Sequence, residues 1–350
     1  MYKTVNPLFL ISQTPMHAGS GDSLGIVDMP IQRERHTSFP KIEGSSFKGA
    51  VRQSVEQKAV LSVLKDSKET ALKNLVLVNK LFGYDGSDLH KDITTDDLEK
   101  KFTYTAKGKK QDEKHTDFAG AFGFTDARLL LFPVKSMRGV FAWITCPKVL
   151  YQFEEDMKLA NYKLPFAVND LDIDENQALV AINSKLVIPN SKKVVLEEYA
   201  FNVKEDKDDH VTKLGKWLNE TIFADAEKFI KAKIQTDIII LTNDDFKDFV
   251  NLSTEVITRT RIDNSTGTVQ SGALFTEEYL PSETVMYSLV LAADEFTKND
   301  DEGKRERQTQ EKLITFFEEY LPKTIQIGGN ATIGKGLTKT YFMKGGKNNG

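Results

Sequence analysis

The sequence predicts an α+β fold of the ferredoxin-like or RRM-like kind, interrupted by large insertions. Three observations predict it. Apolar and β-branched runs of strand length recur at residues 3–12, 128–133, 138–145, 287–293 and 337–342. Segments with helical spacing of apolar residues lie at 45–55 and 304–320. In chain order these give strand, helix, strand, strand, a large insertion, helix, strand, the β-α-β-β-α-β pattern. That order hosts many activities, so function has to be argued from particular residues.

The first strand, 3–12, centres on Leu8, Phe9, Leu10 and Ile11. About thirty residues rich in Gly, Ser and Pro follow and read as a structured loop. Ser45 or Ser46 then supplies an N-cap, and Phe47, Ala50, Val51 and Val55 recur along one helix face. Gly49 weakens that helix and suggests close approach of a neighbour to its first turn. A second helical stretch covers 68–81. Residues 83–120 are polar and charged and read as an exposed, partly mobile insertion. The strands 128–133 and 138–145 are joined by a hairpin-sized link. The middle, 147–253, alternates helical and strand-like pieces, with Ile238 to Leu241 as a buried strand. Alternation over 256–262, the turn Asn264-Ser265-Thr266-Gly267 and renewed strand character at 268–270 predict a β-hairpin with an arm bearing Arg259 and Arg261. The tail 344–350 reads as disordered.

The 350 residues are enough to bury a core without staples, and Cys146, the single cysteine, excludes an internal disulfide or a cysteine zinc site. Its apolar neighbours predict an inert core thiol. No signal-peptide pattern and no apolar run near the ~20 residues of a bilayer span is present, which predicts a cytoplasmic protein with no membrane partner. A net charge of −4 argues against a free-standing, non-specific nucleic-acid binder. Residues 29–52 depart from that balance, with Arg33, Arg35, Lys41, Lys48 and Arg52 against Glu34 and Glu43.

This basic window belongs to the segment richest in chemical signals. His17-Ala18-Gly19-Ser20-Gly21 opens it, Gly25-Ile26-Val27-Asp28-Met29-Pro30 follows, and Gly44-Ser45-Ser46-Phe47-Lys48-Gly49-Ala50-Val51-Arg52 ends it. Glycines let backbone N–H groups approach an anion, and Ser45 and Ser46 stand at a helix N-terminus. Lys48 and Arg52, four apart, share a helix face. These features suit a phosphate backbone, or a surface loop with a capped helix. A second glycine segment begins at Gly328. From Gly329 it fits the first seven positions of a P-loop, with Lys335 as the lysine, but Gly336 replaces the Ser or Thr that would bind magnesium, and a strand follows where a helix is required. An NTPase is rejected. A loop that contacts a nucleic-acid backbone and a tight turn needing positive φ both remain. The five histidines, His17, His36, His90, His115 and His210, have no zinc spacing and form no nucleophile–base constellation.

Taken together, these segments resemble the RAMP proteins of CRISPR systems. Two more narrow the resemblance to the backbone subunits of type III-B (Cmr) effector complexes: Thr125-Asp126-Ala127-Arg128 with Arg138-Gly139-Val140-Phe141-Ala142-Trp143, and Gly272-Ala273-Leu274-Phe275 with Glu277, Glu278 and Pro281. The resemblance implies a single RAMP domain with a palm (1–82, 121–150 and 284–343), insertions at 83–120 and 151–254, and a hairpin thumb at 255–283. It implies copies stacked head to tail along a guide RNA, with other Cmr subunits and a single-stranded target RNA as partners. Asp28 falls where the family's cleavage aspartate stands, with Mg²⁺ or another divalent cation as cofactor, so the resemblance implies a metal-dependent endoribonuclease. RNA contacts are expected from His17, Gly19, Ser20, Gly21, Arg33, Arg35, Ser45, Ser46, Lys48, Arg52, Arg259, Arg261, Gly329 and Lys335. The alternatives are a non-catalytic scaffold of the same fold and a glycine-loop nucleotide-binding enzyme.

Overall fold

The structure is a computed structural model that describes residues 2–22, 25–84, 118–224, 226, 228–296 and 307–345. Most of the expected insertion at 83–120, with His90 and His115, and most of the tail lie outside the described residues.

Six elements position the site: β1 (Thr4–Ser12), α1 (Gly44–Glu56), β2 (Ala127–Lys135), β3 (Val285–Ala292), α2 (Gln310–Tyr320) and β4 (Leu337–Phe342). The strands lie side by side in the order β4-β1-β3-β2, each antiparallel to its neighbour. Val285–Ala292 therefore inserts between the first strand and Ala127–Lys135 as the third strand of this order. Phe141–Thr145, which the sequence places next in line, pairs on the far side of β2 and extends the sheet outward. There the sheet becomes mixed, because Ile238–Ile240 runs parallel to Phe141–Thr145.

Both faces of the centre are covered, which is why β1 reads as a near-continuous apolar run and not as an alternation. Alternate residues of a strand face opposite sides. Phe9 packs edge-on against Phe153 of the helix Pro147–Leu159 and lies beside Tyr287 of β3. The α1 side holds an aromatic cluster in which Phe124 meets Phe47, Phe82 and Phe317 at centroid distances of 5.8–6.3 Å. Phe47, Val51 and Val55 of α1 are fully buried there. Trp143, Cys146 and Ile238 to Leu241 are buried as expected, and burial pushes the Cys146 thiol up to about 12.

The start of α1 differs from expectation. Neither Ser45 nor Ser46 caps it. Glu43 occupies the cap position without a side-chain bond, and the Gly44 N–H donates instead to Asp126 Oδ1 at 2.8 Å. Asp126 also receives Lys41 Nζ at 2.8 Å. Gly44 is required here because a Cβ would sit 2.8 Å from the Phe124 carbonyl oxygen. Gly49 faces open space, so no neighbour explains it.

Candidate nucleic-acid interface

The strand Phe275–Tyr279 organises the site. It pairs antiparallel with Glu255–Arg259; the second strand expected at 268–270 is reduced to a single bridge between Ile262 and Val269, and the ladder forms farther along the chain. An antiparallel pair leaves every second N–H and C=O facing outward, and an outer edge needs partners. Here the Asp28 loop supplies them. Met29 N–H donates to the Thr276 carbonyl at 3.0 Å, and Glu278 N–H donates to the Met29 carbonyl at 3.0 Å. The loop thus runs as a short parallel strand along the hairpin.

The loop is closed upon itself as well. Ser20 N–H donates to the Pro30 carbonyl at 3.0 Å and Gln32 N–H to the Ala18 carbonyl at 2.8 Å. Gly19, Ser20 and Gly21 therefore form one arm and residues 29–33 the other, with Asp28 near the tip.

Asp28 is exposed and, among the described residues, its side chain is held by Thr276. Its Oδ2 accepts from Thr276 N–H at 2.7 Å and from Thr276 Oγ1 at 2.8 Å. The same hydroxyl accepts from Asp28 N–H at 3.0 Å. The backbone bond from Thr276, followed by its hydroxyl, holds the Asp28 carboxyl below the ordinary aspartate value. A carboxylate at this place is ionised at neutral pH.

The next two residues, Glu277 and Glu278, are both buried. Consecutive strand residues point to opposite faces, so each buried carboxylate requires its own set of donors. Glu278 Oε1 takes Arg33 at 2.5 Å and the Thr254 hydroxyl at 2.8 Å, and its Oε2 takes the Ile31 N–H at 3.0 Å. Glu277 Oε2 takes the Tyr279 hydroxyl at 2.6 Å and Arg259 at 3.0 Å. Its Oε1 takes Asn330 Nδ2 at 2.6 Å and lies 3.5 Å from His17 Nε2. Burial pushes the Glu277 carboxyl up, but the bonds from Tyr279 and Asn330, with His17 and Arg259 close by, outweigh it and leave it below the ordinary value. Burial, with the bond to Glu277, pushes the Tyr279 phenol up to about 12, so it remains a donor.

The late glycine loop closes the cluster. Gly329 N–H donates to the His17 carbonyl at 2.9 Å, and a Cβ on Gly328 would lie 2.2 Å from that oxygen. Gly328, Gly334 and Gly336 all have positive φ. The loop aims Asn330 at Glu277 and Tyr279 and places Lys335 Nζ 4.8 Å from the Tyr279 ring centroid.

Of the residues the sequence singled out, His17, Gly19, Ser20, Gly21, Asp28, Arg259, Gly329 and Lys335 converge on this hairpin base. The His17 ring is buried, with Nδ1 2.7 Å from the Glu278 carbonyl oxygen. Arg33 is internal: besides Glu278 it donates to the carbonyls of Ser38 and Val250 and to Asn251 Oδ1. Arg35 and Arg261 are exposed. Ser45, Ser46, Lys48 and Arg52 belong to α1, away from the hairpin. Ser45, Lys48 and Arg52 line a groove of about 560 Å³ with Tyr2, Phe82 and Phe122. Burial, then the Arg52 charge, lowers the Lys48 ammonium from its ordinary value. Arg52 spends two donors on the Gly83 carbonyl and Asn79 Oδ1, each at 3.0 Å. Sequence reasoning missed Thr276, Tyr279 and Asn330, and it missed Glu277 as a partner of His17. The legible signal was two adjacent glutamates in a short strand ending in aromatic residues at Phe275 and Tyr279.

Residues 10–339 match the model of the RAMP superfamily. The chain belongs to the RAMP superfamily. This RAMP protein is 34% identical over 345 residues to the CRISPR system Cmr endoribonuclease Cmr4 of Pyrococcus furiosus, covering 97% of this chain and 96% of the relative. It is 23% identical to the CMR subunit Cmr4 of Saccharolobus solfataricus, covering 98% of this chain and 97% of that one. A crystal structure of oligomeric Cmr4 from Pyrococcus furiosus superposes with a TM-score of 0.62 at 28% identity, covering 98% of this chain and 99% of the other. A chain of a type III-B Cmr-beta complex bound to cognate target RNA, at 18% identity and a TM-score of 0.62 over 97% of this chain and 98% of its own length, shares the fold. The RAMP protein is thus a homologue of Cmr4. No helix among the described residues is long and apolar enough to cross a membrane.

Proposed function

We propose that this chain is the repeated backbone subunit of a cytoplasmic type III-B Cmr complex, and that it holds guide RNA and cuts complementary single-stranded target RNA. The observation that carries the reading is Asp28: an exposed, ionised carboxylate fixed on the outer edge of a hairpin, in a homologue of an endoribonuclease. In this reading the β4-β1-β3-β2 order with α1 and α2 is the ferredoxin-like palm of a single RAMP domain, and the hairpin beginning at Glu255 is the thumb. Other copies of the chain and other Cmr subunits are its partners, in keeping with the oligomeric relative and the Cmr assemblies of shared fold.

Among the described residues no three of His, Cys, Asp and Glu gather in a metal-binding group. One carboxylate still fits Mg²⁺, a hard cation that keeps several waters and is usually bound through one or two carboxylates plus substrate phosphates. Asp28 would hold it together with RNA phosphate oxygens, and the ion would supply Lewis-acid stabilisation of phosphoryl charge. The chain's own work is to keep Asp28 ionised and fixed beside the scissile phosphate. An attack by the ribose 2′-OH leaves a 2′,3′-cyclic phosphate and a 5′-OH. Gly19, Ser20, Gly21, Arg261, Gly329 and Lys335 contact RNA around the hairpin, while His17 and Arg259, turned onto Glu277, hold the hairpin base from within. Ser45, Ser46, Lys48 and Arg52 hold guide phosphates in the α1 groove, and Arg35 adds an exposed cation. Arg33, with its guanidinium spent on protein partners, acts by holding the loop.

The test is cleavage of guide-complementary RNA by the assembled complex in Mg²⁺, comparing wild type with Asp28→Ala and measuring target binding beside it. Loss of regularly spaced cuts with binding intact is expected. Unchanged cutting would make the subunit a scaffold.

A further inference from the structure

We infer that Thr276 is a positioning residue that makes the Asp28 carboxylate part of the hairpin, so that the hairpin's placement on RNA sets the carboxylate's placement too. The inference rests on the reading of Asp28 given above. Two independent sets of bonds carry it.

The first set is the clamp. Thr276 gives its N–H and its hydroxyl to the same oxygen, Asp28 Oδ2, and takes the Asp28 N–H in return. One threonine thus satisfies a side-chain acceptor and a backbone donor of one aspartate. A single bond would leave the carboxylate free to swing about χ1 and χ2, whereas two donors separated by the Thr276 backbone fix its direction. The second set is the parallel pairing of Met29 with the hairpin, through Thr276 and Glu278. Glu278 reinforces it by taking the Ile31 N–H and Arg33 on the same loop and Thr254 at the foot of the hairpin. On the other strand Thr276 faces Thr258, so hairpin register and carboxylate position are one variable.

Gly25 and Ile26 beside the loop tip are exposed, and Ile26 is fully so. Without the threonine hydroxyl, the tip keeps its backbone pairing at Met29, but the carboxylate loses one of its two Thr276 donors and Asp28 N–H loses its acceptor. The prediction is a protein that folds, assembles and binds target as before, yet cuts slowly.

The experiment is single-turnover cleavage by the reassembled complex in Mg²⁺, with Thr276→Val, Thr276→Ser and Asp28→Asn run in parallel, and target affinity and filament assembly measured for each. Hydrogen bonds to charged groups are worth enough that Thr276→Val should cut about 10–100-fold more slowly. Thr276→Ser, which retains the hydroxyl, should cut within about threefold of wild type. Target affinity and assembly should be unchanged in both. If Asp28→Asn is inactive while Thr276→Val cuts at the wild-type rate, the clamp is overturned and the role of Asp28 stands. The same follows if Thr276→Val and Thr276→Ser are equally slow, or if either loses assembly or target binding, since the residue would then act through folding. If Asp28→Asn cuts normally, the reading of Asp28 falls and the clamp falls with it.

Discussion

Replacing Glu277 by Gln tests the buried cluster at the hairpin base most directly. The substitution keeps the volume and removes the charge. Glu277 is only 4% exposed, and every group aimed at it can donate: Tyr279 and Arg259 at Oε2, Asn330 at Oε1, with His17 beside it. A glutamine offers one oxygen in place of two and turns an N–H₂ toward the other pair. If the oxygen faces Arg259, the N–H₂ meets the Asn330 amide. If it faces Asn330, the N–H₂ meets the guanidinium. Either way one charge-assisted bond becomes a donor–donor contact, and the Arg259 charge loses its carboxylate. The Arg259 side chain is a quarter exposed and keeps its bond to Asn330, so the cost is that of one unsatisfied buried hydrogen-bonding group, a loss of about 1–3 kcal/mol at pH 7. Urea denaturation of the full chain measures it. A carboxyl whose folded pKa lies below its unfolded value, near about 4.3, contributes stability above that value and loses it as pH falls through the folded pKa. The gap between wild type and variant should therefore be full at pH 7, begin to shrink below about pH 4, and fall by at most about 1.4 kcal/mol per pH unit as pH drops through the folded pKa. A variant within about 0.5 kcal/mol of wild type at pH 7, or a gap that stays constant down to pH 3, would refute the assignment of these donors to an ionised Glu277.

Two further expectations concern other parts of the molecule. Lys48→Ala should weaken guide-RNA binding and lower the slope of log affinity against log salt by about 0.7, the value for one phosphate on a single strand. Lys48→Ala with Arg52→Ala should lower it further, while an unchanged slope in both would exclude phosphate contact at the α1 groove. Cys146, with its thiol pushed up to about 12, has roughly one thiolate in 10⁴ at pH 8, so the native chain should resist alkylation and react on unfolding in guanidinium. Rapid stoichiometric labelling of the native chain would show that the strand end carrying it opens readily.

Local patterns were legible in the sequence, and long-range partners were not. The runs at Leu8 to Ile11 and Ile238 to Leu241, the face Phe47, Val51 and Val55, and the strand Glu255–Arg259 all follow from the spacing of apolar and β-branched residues, which acts over a few residues, whereas the partner of that strand, Phe275–Tyr279, does not. The cap of α1 does not, because Asp126 lies 82 residues from Gly44. Nothing local distinguishes Ser45 and Ser46 from real caps. The position of Val285–Ala292 between β1 and β2 was hidden for a related reason: Phe141–Thr145 follows β2 at hairpin distance and offers the nearer partner. Asp28 became visible through motif resemblance, since an isolated loop aspartate is ordinarily a turn former. Asn330, aimed by a loop 53 residues beyond Glu277, had no local signal beyond the surrounding glycines.

Among the described residues, the bonds that anchor the Asp28 loop end at Thr276 and Glu278 on one hairpin strand, and the residues beyond Arg259 and before Phe275 take no part in them. Length and composition of that distal arm can therefore change without shifting the carboxylate. On the proposed reading, reach along RNA and placement of the Asp28 carboxylate are separable properties, one free to vary and the other fixed at the hairpin's root.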